Sequence, residues 1–452
     1  MNKRVDMLNG PLLGPVILFA LPLMLTSILQ LLFNAADIIV IGKFSTQEAL
    51  AAVGSTGPVI NLTVNIFIGI SIGASVIMGK YLGARDFENS QLTLHTSILI
   101  SVIGGFMVMA LGYFASGQIL AMMNTPEEVL KLATLYLKIY FLGMPGAMVF
   151  NFGSSLLRSA GDTRSPLYFL AFSGVVNVVL NLILVIYFKM GVAGVAIATA
   201  VSQYVSAALI IISLMKGDQV MKLDLKKLKI SWNLVGDMLK IGIPAGLQGA
   251  LFSISNIMIQ STINRFGSAV MAGNTAAGNI EGFVYMGMNA IYQAALSFTS
   301  QNMGAKQYHR IRDIYKTTML VVTGIGLVMG MGSYFLGNHL LKLYTNDAEV
   351  IMYGLERLSV VAFYYALCGL MDVQVGVLRG MGYSISPMII SLIAVCGLRI
   401  VWILFAFPLN PTRLMIYWSY PVTWIAAAIP LFILYRRGIK KLDNNIAAEV
   451  AR

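Results

Sequence analysis

Twelve stretches of this 452-residue chain are each long and apolar enough to cross a lipid bilayer. A helix needs about 20 apolar residues to traverse the hydrocarbon. Only helices and closed barrels satisfy their own backbone there. The stretches fall at roughly 15–41, 55–79, 91–115, 132–157, 166–188, 192–215, 236–263, 270–299, 314–337, 353–378, 387–408 and 413–435. With 58% hydrophobic and only 11% charged residues, the chain has too little charge to cover a soluble surface. The expected fold class is therefore an all-α polytopic membrane protein. The first stretch is too long for a signal-peptide core and is expected to remain as a span. Pro166 and Pro387 open spans five and eleven, where a missing N–H costs nothing. Pro22 and Pro244 lie inside spans one and seven and are expected to bend them.

Basic residues orient the spans. With the N-terminus, the even-to-odd loops and the C-terminal tail taken as one side, 22 of the 31 lysines and arginines fall there. The opposite loops, Arg357 among them, hold 8, and Arg399 lies within a span. By the positive-inside rule both termini are expected in the cytoplasm, with the chain in the cell's inner membrane. The same asymmetry accounts for the net charge of +12 without a nucleic-acid partner.

The chain repeats itself at an offset of 221–222 residues. Pro22 matches Pro244, Asn34 matches Asn256, and Phe44 matches Phe266. Leu82-Gly83-Ala84-Arg85 matches Met303-Gly304-Ala305-Lys306. Leu157-Arg158, Gly161 and Ser165-Pro166 match Leu378-Arg379, Gly382 and Ser386-Pro387. An even number of spans per repeat inserts both halves the same way, which is a known transporter plan. The expected organisation is a six-helix lobe at 1–215, a linker at 216–235, a second lobe at 236–437 and a tail at 438–452.

Several function classes are disfavoured. Cys368 and Cys396 sit in apolar runs and form no disulfide framework, and three scattered histidines make no ligand cluster. There is no phosphate-binding Gly-x-x-x-x-Gly-Lys loop, and no Ser/His/Asp or Cys/His grouping supports enzymatic chemistry. No cofactor is expected.

Charged residues inside a membrane are costly and usually functional. Asp37 lies about 6 Å inside the outer end of span one, with Asn34 on the same helical face. Asn177 and Asn181 share one face of span five, and Thr199 lies about two turns into span six. These groups can converge at similar depth. An aspartate among amides and a hydroxyl can hold Na⁺ by its oxygens, or take up a proton; it can equally fix helix packing. In the second half, Glu281 sits in span eight between Gly278 and Gly282, which permit close approach of a ligand or helix. Asp372 lies in span ten and Arg399 in span eleven, and an Asp372–Arg399 or Glu281–Arg399 pair would lower the cost of burial. Asn256 and Tyr285 are further candidates for contact with a substrate. The 27 methionines and the rings of Tyr140, Phe152, Tyr285, Tyr292 and Tyr365 suit a cavity for flat cations, although most must pack against lipid or helices.

Leu21-Pro22, Asn34-x-x-Asp37, Gly83-Ala84-Arg85 and the segment Leu156-Leu157-Arg158-Ser159-Ala160-Gly161-Asp162-Thr163 before Pro166 resemble the MATE (multidrug and toxic compound extrusion) transporters. The resemblance runs along nearly the whole chain and is strongest to the bacterial DinF-like and MepA-like branch. It implies two pseudo-symmetric six-helix lobes and export of organic cations by alternating access, driven by H⁺ or Na⁺. It also implies that Asp37, Asn34, Asn177, Asn181 and Thr199 handle the coupling cation. Glu281, Asp372, Arg399, Asn256 and Tyr285 become candidates for substrate binding. The chain departs from the family where many members carry a second acid in span five, since it has Asn181 there. It also lacks the span-seven acid of NorM-type members. The expected partners are small organic cations and the bilayer, with a single chain as the working unit. Two other readings stand beside this one: a flippase for a lipid-linked saccharide from a related branch, and a passive channel.

Overall fold

The computed structural model describes residues 4–123, 125–218 and 220–450, leaving aside the side chains of 445–450. Its first seven helices are α1 (Leu13–Phe44), α2 (Gln47–Gly83), α3 (Phe87–Met122), α4 (Glu127–Leu142), α5 (Met144–Ser159), α6 (Arg164–Asn181) and α7 (Gly191–Met215). The second half holds α8 (Trp232–Ile263), α9 (Ser268–Gly304), α10 (Tyr308–Phe335), α11 (Gly337–Lys342), α12 (Ala348–Val360), α13 (Ala366–Gly380), α14 (Ile385–Ser391), α15 (Leu398–Val401) and α16 (Arg413–Val450). Among the described residues nine helices are long and apolar enough to span a membrane, and the pair α4–α5, bent by 48°, makes a tenth. Two of the twelve expected spans miss that test for physical reasons. In α9 the apolar run is diluted by Asn274, Asn279, Glu281, Asn289 and Gln293. The tenth span is broken between α12 and α13 by turns over 361–365.

The repeat extends to these helix defects. The α4–α5 bend and the α12–α13 break stand about one repeat apart. A π-helical run ends the fifth span at Leu182–Tyr187, and others interrupt the eleventh at Leu392–Gly397 and Trp402–Ala406. Arg85 and Lys306 both take left-handed backbone (φ 55° and 57°), as do Gly161 and Gly382 (φ 88° and 95°). Matching turns at matching offsets mean that both halves use the same loop chemistry.

The helices form two compact units. Unit 1 is Leu25–Gly242 with Arg4; unit 2 is Val5–Met24 with the chain from Ile243 onward. This division differs from the expected one, because α1 and α8 each belong to two units. In unit 2, the first part of α1 is held by edge-to-face packing of Phe19 on Phe298, 5.7 Å between centroids. Asn302 Nδ2 also donates to the Met7 carbonyl (3.0 Å). In unit 1, the first part of α8 lies so close to α2 that a Cβ on Gly242 would stand 2.5 Å from Ile70 Cα, and one on Gly73 would overlap the Met238 carbonyl. The segment expected as a linker is docked on unit 1. His95 Nε2 accepts the Asp224 N–H (3.2 Å), Thr96 Oγ1 bonds Lys229 and Ser231, and Met221 and Leu223 are buried.

Each unit packs an apolar layer beside its polar groups. In unit 1, Ile41, Val53, Leu137, Phe141 and Val195 cluster next to the end of α1 that carries Asp37. In unit 2, Ala277, Ile280, Ile351 and Leu358 cluster between α9 and α12.

Candidate functional site

In unit 1, α1, α6 and α7 bring four of the five expected residues together. Asp37 is buried, and its Oδ1 accepts from Asn181 Nδ2. Its Oδ2 lies 3.3 Å from Thr199 Oγ1. Asn177 Nδ2 reaches Thr199 Oγ1 (3.4 Å), and Asn177 Oδ1 accepts from Asn181 (3.3 Å). The Thr199 hydroxyl also points to the Val195 carbonyl (3.0 Å), and its single proton can serve only one acceptor at a time. Asn181 Oδ1 is buried without a hydrogen-bond partner. Asn34 is exposed and takes no part in these bonds, which corrects the expectation that it completes the cluster. Tyr140, expected from the sequence only as a ring suited to a cavity, is a neighbour of the site: it hydrogen-bonds Gln203 and lies within electrostatic reach of Asp37. Its ring stacks on Tyr136, at 6.2 Å and 24°.

The four residues offer oxygens and no positive charge. Asp37, Asn177, Asn181 and Thr199 together present two carboxylate, two amide and one hydroxyl oxygen, the hard donors that suit a small cation. Amide orientation is assigned from hydrogen bonding. In the orientation found, both amide nitrogens act as donors within the cluster. Rotating Asn181 would turn its unpartnered oxygen toward Asp37.

Unit 2 rearranges the expected pairings. Glu281 is buried and bound at both oxygens by Arg357, from Nε to Oε1 (2.9 Å) and from Nη2 to Oε2 (2.6 Å). Arg357 Nη1 donates to Asn274 Oδ1 (2.6 Å), Asn274 to Gln260 (2.7 Å) and Gln260 to Asn264 (2.8 Å). Arg357, expected in an outer loop, is therefore a membrane-buried partner. Its neighbours at helical spacing, Val350, Gly354 and Val361, are buried on the same face, and that pattern was the available signal. A Cβ on Gly278 or Gly282 would meet nothing within 4 Å, so neither glycine marks a close helix approach.

Arg399 pairs with neither Glu281 nor Asp372. Its Nε donates to Thr423 Oγ1 (3.3 Å) and its Nη1 to Asn256 Oδ1 (3.2 Å), and its carbon lies 4.3 Å from the centre of the Tyr420 ring. Asp372 is half-buried in α13, with Tyr285, Cys368 and Arg379 as its electrostatic neighbours. Arg379 itself is bonded to Tyr292 (2.7 Å) and Gln248 (2.8 Å). Tyr285 is 39% exposed, and Asn256 is exposed beside Arg399.

Comparison with known proteins gives a consistent picture. The chain is similar to the probable multidrug resistance protein YoeA of Bacillus subtilis, with 26% identity over 90% of this chain and 93% of the relative. It is similar to the multidrug export protein MepA of Staphylococcus aureus, with 24% identity over 88% and 87%. Its fold matches a solved MOP superfamily transporter from Pyrococcus furiosus, described as having a binding pocket of reverse polarity, with a TM-score of 0.89 at 23% identity over 98% and 99% of the two chains. The family model MatE matches residues 22–183 and again 244–404, one match for each repeat. The chain therefore belongs to the MatE family, the multidrug and toxic compound extrusion transporters.

Proposed function

We propose that this chain is a multidrug efflux transporter that exchanges a small coupling cation, H⁺ or Na⁺, for organic cations. The observation that carries the reading is the buried Asp37 carboxylate, met by Asn181 and Thr199 and, among the described residues, by no positive group. A carboxylate so placed binds a cation and must give it up again for the cycle to turn. Asp37 is the titratable member of the cluster; the amides of Asn177 and Asn181 and the Thr199 hydroxyl orient it and lend oxygens. The names of the relatives, multidrug resistance and export proteins, support efflux as the direction. The excess of lysine and arginine on one side supports cytoplasmic termini in a bacterial inner membrane.

Glu281 stands differently in this reading from its place in the sequence. Its charge is met by Arg357, so attraction of cationic substrate falls to the half-buried Asp372 and the exposed ring of Tyr285. The test is dye uptake into inverted vesicles under imposed H⁺ or Na⁺ gradients. Asp37→Asn should reduce gradient-driven uptake to background while the protein inserts and melts normally. Uptake at the unaltered rate would remove Asp37 from the coupling role.

A further inference from the structure

Arg399 is 5% exposed in the middle of a span, and among the described residues no carboxylate pairs with it. Glu281, the buried acid of unit 2, is bound at both oxygens by Arg357. The two guanidinium groups share one ring: Arg399 lies 4.3 Å and Arg357 5.4 Å from the centre of Tyr420. Such cation–π contact makes a buried cation tolerable without neutralising it.

The two arginines are held with different firmness. Arg357 bonds its partners at 2.6–2.9 Å, the range of charge-assisted bonds. Arg399 bonds neutral oxygens at 3.2 and 3.3 Å, longer than such bonds usually run. Its Nη2 makes no hydrogen bond among the described residues. The oxygen on its Nη1 belongs to Asn256, an exposed side chain. An amide oxygen there occupies the place that a carboxylate oxygen would take more strongly. Asn256 also descends from the same repeat position as Asn34.

We propose that Arg399, with Asn256, Thr423 and Tyr420, forms a subsite in unit 2 for an anionic group carried by the substrate, a carboxylate above all. The transporter then accepts zwitterionic compounds, in which a flat cationic ring system bears a free carboxylate, as well as simple cations. This inference rests on the efflux reading. The carboxylate displaces the Asn256 amide, engages Nη1 and Nη2 together, and sits beside the edge of Tyr420.

The experiment uses purified full-length protein in phosphatidylcholine–phosphatidylglycerol vesicles under an imposed ion gradient. Two dyes are compared, a rhodamine with a free carboxyl and its methyl ester, which share one cationic ring system. The unaltered chain should transport both. Arg399→Gln should lower transport of the free-carboxyl dye about tenfold more than that of the ester, the scale of one lost charged hydrogen bond. Arg399→Lys should fall between, since it keeps the charge and loses the planar fork. Asn256→Asp supplies an internal carboxylate to Arg399. It should fold at least as firmly as the unaltered chain and show the same selective loss, which keeps the test open if Arg399→Gln does not fold. Equal loss of both dyes in these variants, or no change in their ratio, would overturn the subsite. Transport of the ester alone by the unaltered chain would also overturn it and leave the efflux reading standing. Transport of neither dye would overturn both.

Discussion

The two units carry opposite charge within corresponding groups of spans. In unit 1 the first, fifth and sixth spans supply Asp37, Asn177, Asn181 and Thr199. In unit 2 the seventh, eleventh and twelfth spans, their repeat counterparts, supply Asn256, Arg399, Tyr420 and Thr423. At the repeat offset Thr199 corresponds to Tyr420, and Arg399 to Val178, next to Asn177. One duplicated scaffold thus holds a carboxylate among oxygens on one side and a guanidinium over an aromatic ring on the other. Duplication preserves the turns, prolines and helix breaks because they define the backbone. It leaves the side chains at these positions free to diverge, so the two units present opposite charge.

Four sets of substitutions sharpen or break this contrast. The largest effect is expected at Asp37, where Asn removes the titratable group of the unit 1 cluster and should reduce gradient-driven dye uptake to background. If uptake persists, the polarity of unit 1 has no part in coupling.

Next comes the ion pair of unit 2. Removing one partner of a buried pair strands the other, at a cost of about 3–5 kcal/mol. Glu281→Ala or Arg357→Ala should therefore lower the melting temperature in detergent sharply. The double change Glu281→Leu with Arg357→Met should recover most of that loss, as matched apolar replacements often do. A double variant no more stable than the singles would show that Arg357 is held by Asn274 and the tyrosines rather than by Glu281.

A smaller effect is expected where backbone meets backbone. Gly73→Val pushes a side chain into the Met238 carbonyl and should cost about 1–3 kcal/mol, the range for overpacking. Gly278→Ala, with open space at its Cβ in α9, should instead stabilise by about 0.5–1 kcal/mol. Thermal melts of both read the difference directly.

The smallest effect concerns the loops that the repeats share. Asp86 caps α3, accepting the Asn89 N–H (3.1 Å) and side chain (2.7 Å), while its counterpart Gln307 makes no side-chain cap on α10. Asp86→Ala should cost about 1 kcal/mol, and Gln307→Asp should gain up to a similar amount. The Asn89 side chain and backbone hold the Asp86 carboxyl below its ordinary range. A depressed acid adds stability above its unfolded pKa and loses it as pH falls through the folded one. The gap between Asp86→Ala and the unaltered chain should therefore close in acid, as chemical denaturation across pH would show.

Much of the architecture was legible in the chain itself. Apolar runs of spanning length announce helices because a bilayer leaves the backbone no other partner. The repeat was readable because its signals are turn residues, such as Gly161 and Gly382, whose backbone demands specific residue types. The Asp37 cluster was legible in outline, since Asn177 and Asn181 stand one turn apart and Thr199 lies at similar depth. Arg357 was misread because a charged residue near the end of a span looks like a loop residue until its acid is known. Asn34 was drawn in by its spacing from Asp37, but three residues on a helix leave an angular offset large enough to take it out of the cluster.

Composition and periodicity alone decide that this chain lives in a membrane, spans it as helices and is built twice from one plan. Those properties follow from local chemistry, in which each residue answers to solvent or lipid and to its own backbone. Which acid meets which base, and which unit holds each part of α1 and α8, are decided only in three dimensions. Hydropathy does not say which neighbour a helix face will meet. That choice rests on close approach at positions such as Gly73 and Gly242, and on the need of each buried charge to find the partner within its reach.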